Sequence, residues 1–127
     1  MESSFQFKNP TITKLVFELN DGFDREAGKE INIPHKLTHN VVKNEDKIAT
    51  VSLTIEVGER SSEFPFYILA TEESMFKWDE NTKDEKPLLK QNAPALLLSY
   101  LRPIVATVTA ASPFGSYNLP FINFSNK

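Results

Sequence analysis

Two histidines, a few neighbouring carboxylates and no cysteine are all that this chain offers to metal or covalent chemistry. His35 and His39 stand four apart in the stretch INIPHKLTHNVV. There Ile31, Ile33, Leu37 and Val41 share their phase, the period of two that marks a strand. On a strand, positions i and i+4 face the same way but lie about 13 Å apart. One metal ion needs both nitrogens within ~2.1 Å of it. No metal site is expected, and the two read as half-buried strand histidines. Glu72–Glu73 and Asp24–Glu26 have no apolar cover in sequence, so neither pair is expected to do acid–base work. A Gly-rich phosphate loop, a Gly-x-Ser-x-Gly turn and a Cys nucleophile are all absent. The expectation is a protein that is not an enzyme, with no catalytic residues and no cofactor.

Recognition is the chemistry left, and the aromatics carry it. The chain has 10 Phe beside 3 Tyr and 1 Trp. Met75, Phe76 and Trp78 stand together in ESMFKWDE. Phe114, Tyr117 and Phe121 follow in the tail ASPFGSYNLPFINFSNK, whose Pro113, Gly115 and Pro120 forbid a long helix. Met and aromatic side chains make adaptable contact surfaces for varied partners. Phe76, Trp78, Phe114, Tyr117 and Phe121 are therefore candidates for lining a polypeptide-binding groove. The alternative is that they cap the core at the end of a sheet.

The elements that must position them alternate first and then turn helical. In TKLVFEL, Leu15, Phe17 and Leu19 alternate with Lys14, Val16 and Glu18. NDGFDREAGKE (20–30) is charged and reads as a loop. INIPHKLTHNVV is a strand at an edge or bulged near Pro34, which donates no ladder hydrogen bond. KNED (43–46) turns into KIATVSLTIEV, where Val51, Leu53, Ile55 and Val57 share one face. GERSSE turns again into FPFYILATEESMFKW. Short connections between three successive strands imply an antiparallel meander. DENTKDEK (79–86) reads as a solvated linker.

A helix is expected from Asn92, a good N-cap, with Pro94 tolerated in its first turn. Leu97, Tyr100, Leu101, Ile104, Val105 and Val108 fall on one face, while Leu96, Leu98 and Ala106 lie outside it. A helix apolar on nearly every side needs cover on two sides. Its own sheet supplies one, and a second copy of the chain is the economical source of the other. Leu96, Leu97, Tyr100, Leu101, Ile104, Val105 and Val108 are the interface candidates, in a dimer of dimers. Pro103 is expected to kink or locally unwind the helix.

At 127 residues the chain has the size of one domain and is read as a single domain over 1–127. The fold class is α+β, with about four antiparallel strands and one long helix packed on one face. A net charge of −3 argues mildly against a nucleic-acid partner. MESSFQFKNP lacks the basic and apolar regions of a secretory signal. The 93–111 stretch is interrupted by Ser99, Arg102 and Pro103, so no membrane span is expected and the location is read as cytoplasmic.

The last third carries a family likeness. PALLLSYLR (94–102), then Phe114, then NLPFINF (118–124) resembles the bacterial protein-export chaperone SecB family, in which a Pro, a Tyr and an Arg recur at matching helix spacing. Upstream, the likeness is one of element order. It implies an ATP-independent holding chaperone for unfolded or nascent polypeptides, cytoplasmic and homotetrameric. In place of the family's second helix and acidic tail, the sequence stops three residues after Phe124. Binding to the export motor SecA is accordingly expected to be weak or absent. Two rivals stand beside the export role: a dedicated chaperone of a toxin–antitoxin pair, and an interaction or structural protein, for instance of phage origin, that kept the fold.

Overall fold

The computed structural model describes residues 5–24, 31–79, 84–120, 122 and 124. Five strands, β1 (Phe5–Phe7), β2 (Thr11–Leu19), β3 (His35–Glu45), β4 (Ile48–Gly58) and β5 (Phe66–Trp78), form one antiparallel sheet. β5 is flanked by β4 on one side and by both β1 and β2 on the other, while β3 pairs with the far side of β4. β1 and β2 lie end to end along β5, facing its residues 76–78 and 66–73. The break between them holds Pro10, which has no N–H to give to a ladder. The sheet is thus four ribbons wide, and β1 is the strand that alternation did not reveal, being three residues long.

β3, β4 and β5 form the meander. β3 runs to Glu45 and turns through Asp46 and Lys47, later than expected, with Lys47 at φ 64°. Pro34 lies just ahead of β3, at the sheet's edge, and its carbonyl accepts from the Gly58 N–H at 2.8 Å. Gly58 has φ 73°, and a Cβ there would sit 2.1 Å from the Phe66 carbonyl oxygen, so only glycine fits the end of β4.

Strand register decides the core. Ala49, Val51, Leu53, Ile55 and Val57 face inward at 0% exposure. Across the ladder they meet Phe76, Ser74, Glu72, Ala70 and Ile68 in turn. Over this face lies the helical segment: α1 (Glu85–Pro87), a π-helical turn (Leu88–Asn92) and α2 (Ala93–Ala110). It starts earlier than expected. Asp84 is the cap, its carboxylate accepting from the Lys86 N–H at 3.0 Å, and Asn92 is already helical with no capping bond. The Ala93 N–H reaches back to the Leu88 carbonyl. This widened turn stands where Pro94, lacking an N–H, cannot make the ordinary bond to Lys90. Part of the expected charged linker, Asp84 to Lys86, is therefore helix start, and residues 80–83 lie outside the described residues. Pro103 lies inside α2, which continues through it to Ala110.

Leu97, Leu98, Leu101 and Val105 bury the sheet-facing side of α2 at 0–3% exposure. Each such side chain contributes about 1.5–3 kcal/mol by leaving water. The segment Glu85–Ala110 is long and apolar enough to cross a bilayer by length and composition, but this buried side is the core of the fold. Its opposite side, with Leu96, Ser99, Tyr100, Pro103, Ile104 and Thr107, is exposed or half-buried and carries no charge.

Candidate functional site

Of the five aromatics expected to share a groove, the structure gathers two pairs at opposite ends of the sheet. Phe76 and Trp78, at 0% and 4% exposure, belong to the core. Phe76 stacks on Phe5 at 5.3 Å and on Phe7 at 6.1 Å, and Tyr100 of α2 meets Phe7 edge-on. The other pair sits at the far end of β5, about 33 Å away along ten residues of strand. There Tyr117 meets Phe66 edge-on, Phe66 meets Phe17, and Phe114 meets Phe23. Phe114 and Tyr117 are half-buried. Phe121 lies outside the described residues.

The tail is held in place by α2 itself. Thr109, fully buried, donates to the Val105 carbonyl at 2.7 Å and accepts the Tyr117 N–H at 2.7 Å. Arg102 Nε donates to the Leu119 carbonyl at 2.9 Å, which turns the tail back along the helix. Further on, Phe124 packs edge-on against His39 of β3. These contacts cover the β3 side of the helix. The β2 side is left open. Leu15 and Leu19 point to the helix face of the sheet, in register with Ala70 and Phe66, yet are 45% and 49% exposed. An apolar strip therefore runs from Leu15 past Phe17 to Leu19 and meets Phe114 and Tyr117 at the sheet end. Neither leucine was singled out as a contact residue from sequence, although their alternation had placed them inward.

Of the seven helix positions expected at an interface, Leu97, Leu101 and Val105 are 0–1% exposed on their own sheet and have no surface to give a partner. Leu96, Tyr100, Ile104 and Val108 keep some.

Chemistry stays scarce. His35 and His39 are exposed on the edge strand, and among the described residues no three His, Cys, Asp or Glu side chains cluster for a metal. Glu72 and Glu73 point to opposite faces of β5, and Glu26 lies outside the described residues. Glu72 corrects the expectation that it lacks apolar cover. It is 2% exposed beneath the helix layer, its Oε1 has no hydrogen-bond partner among the described residues, and burial pushes its carboxyl up to about 7. The signal was present in the sequence, since Glu72 shares its phase with Ile68, Ala70 and Phe76. On the outer face, Arg60 pairs with Glu18 at 2.7 Å and lies 4.4 Å over the Tyr67 ring, whose hydroxyl donates to Glu56. Burial and that carboxylate both raise the Tyr67 phenol.

The family profile of SecB, described as preprotein translocase subunit SecB, matches residues 4–126. The chain belongs to the SecB family. SecB proteins are chaperones rather than enzymes. The Mycobacterium tuberculosis Rv1957 SecB-like chaperone, in complex with a ChAD peptide from the Rv1956 HigA1 antitoxin, superposes with a TM-score of 0.67 at 12% identity, over 93% of this chain and 90% of that one. A Streptococcus agalactiae protein of unknown function superposes with a TM-score of 0.57, also at 12% identity, over 92% of this chain and 97% of that one. No curated protein matches the sequence at a significant level. The likeness to both structures is one of fold. The SecB-like fold here is the five-strand antiparallel sheet with one long helical segment on one face, α+β as expected.

Proposed function

We propose that this chain is a holding chaperone that binds unfolded or nascent polypeptide without ATP. The observation that carries the reading is the apolar strip of Leu15, Phe17 and Leu19, left open beside α2 and continued by Phe114 and Tyr117. An extended client segment laid along it would bury alternate side chains, and the edge of β2 offers backbone groups for strand addition. Two or three client side chains netting ~2–3 kcal/mol each give dissociation near the micromolar range, weak enough for release without ATP. The test is suppression of aggregation of an unfolded client by the wild type and by Leu15→Ser/Leu19→Ser. The double variant is expected to lose most suppression while its circular dichroism and assembly state stay unchanged. Full suppression by the double variant would overturn this placement of the site, and no suppression by the wild type would overturn the chaperone reading.

Assembly is part of the proposal. Leu96, Tyr100, Ile104 and Val108 form an uncharged helix face that a second copy can cover, in a dimer of dimers, in the cytoplasm. A second reading has its own support: the superposable Rv1957 chaperone is bound to an antitoxin peptide, which favours a dedicated toxin–antitoxin partner over general export. Mass spectrometry of peptides that co-purify with the chain separates one recurrent partner from many clients. A pull-down with SecA at physiological salt addresses the export role, for which weak or absent binding is expected.

A further inference from the structure

Glu72 sits in the middle of β5, on the face that α2 covers, and nothing in its surroundings needs a carboxylate. Its ladder neighbours are Leu53 of β4 and Ile12 of β2, and its in-phase neighbours on β5 are Ala70 and Ser74. The Ser74 hydroxyl is spent on the carbonyl of Lys8. Glu72 Oε1 is fully buried and accepts no hydrogen bond from the described residues. A buried acceptor without a donor costs about 1–3 kcal/mol, and more if charged.

Among the described residues, no charge stands ready to compensate. β1 presents Phe5 and Phe7 to this face, and β2 presents Ile12 and Leu15. β3 presents His35, His39 and Lys43, of which His39 is nearest in register, two strands away and about 10 Å distant. Lys43 is paired with Glu85 of α1 at 3.1 Å. The other charged groups on the helical segment are Lys86, Lys90 and Arg102, and Arg102 Nε is bonded to the Leu119 carbonyl. Tyr117 is the titratable group of the described tail, and it is bound near Thr109.

We propose that Glu72 is a proton-operated latch between the sheet and α2: uncharged, its carboxyl is tolerated inside the layer; ionised, it draws water into the seam and loosens the helix from β5. Loosening would uncover the Leu97, Leu98 and Leu101 side of the helix. The latch is a property of the folded chain and stands or falls independently of the polypeptide-holding reading.

Burial alone is the cause that holds the carboxyl at about 7, against an ordinary 4.5. When the seam opens, the group releases its proton at the ordinary value. Between pH 4.5 and 7 the closed state therefore binds more protons, so closure weakens as pH rises and levels off above 7. The difference corresponds to a change on the order of a hundredfold in the opening equilibrium.

The experiment uses the full chain and Glu72→Gln, which keeps the size and is neutral at every pH. Amide exchange across 96–105, corrected for intrinsic rates, is followed from pH 5 to 8 beside the ¹³C carboxyl titration of Glu72. In the wild type, protection should fall on the order of a hundredfold between about pH 5 and 7 and level off where the carboxyl titrates, and in Glu72→Gln it should stay flat. An equal fall in the variant, or a carboxyl that titrates in the ordinary range, overturns the proposal. Should the variant fail to fold, the wild type decides alone: a fall in protection that levels off at the carboxyl's own midpoint near neutrality supports the latch, and a fall that continues past that midpoint, or no fall below it, overturns it.

Discussion

Two residues hold positions fixed by single atoms around them. Gly58 has both a positive φ and the Phe66 carbonyl oxygen where a Cβ would go. Gly58→Ala must strain the backbone or push β4 from β5, and a loss of about 2–4 kcal/mol is expected as a lower urea midpoint. Thr109 uses one buried hydroxyl to satisfy Val105 and to hold the Tyr117 N–H. Thr109→Val keeps the shape and orphans that N–H. A loss of about 1–3 kcal/mol is expected, with faster amide exchange at Tyr117 than at Leu101. The Gly58 requirement could not be read from sequence, because the oxygen it avoids belongs to the next strand. The phase of Glu72 could be read, but a charged residue within an alternating strand is ordinarily placed outside.

α2 has two apolar sides with different work. Leu101 is fully buried against the sheet and Tyr100, beside it in sequence, is 39% exposed. Leu101→Ala is expected to cost about 2–5 kcal/mol in chemical denaturation, the range for a buried leucine that leaves a cavity. Tyr100→Ala should cost much less, because what it loses is the edge contact with Phe7. Helical periodicity placed both residues in one apolar group, since a stripe from Leu97 to Val108 is wider than the sheet beneath it can cover. The helical segment starts ahead of Asn92 for a local reason. Asn92 and Pro94 look like a beginning, but Asp84 caps an earlier turn and the π-helical turn carries the chain past the proline.

At the scale of the whole chain, the prediction concerns what covers the uncharged helix face. If a second copy does, light scattering at micromolar concentration should show an oligomer, and Ile104→Arg, on the half-buried outer side, should yield a folded smaller species. Leu101→Arg would not test this, because a charge at a 0% exposed core position unfolds the subunit first. A folded wild-type monomer at that concentration would remove the second copy and leave the face to clients or to solvent.

The sequence by itself determined the α+β class, the three-strand meander and the family, because alternation, turn residues and a nine-residue helix pattern are local properties; near Pro34 it left an edge or a bulge, and the sheet order decided for the edge. Those signals also placed Leu15 and Leu19 on the helix face of the sheet, whereas Leu101, expected at an interface, is core. Only the tertiary structure decided which inward-facing residues are covered. Leu15 and Leu19 have the same phase as fully buried core residues, but α2 lies over β4 and β5 and leaves β2 open. It also decided that Phe76 and Trp78 pack at one end of the sheet while Phe114 and Tyr117 meet at the other. Proximity across ten residues of strand is set by its ~3.3 Å rise, and no count of aromatics can shorten it.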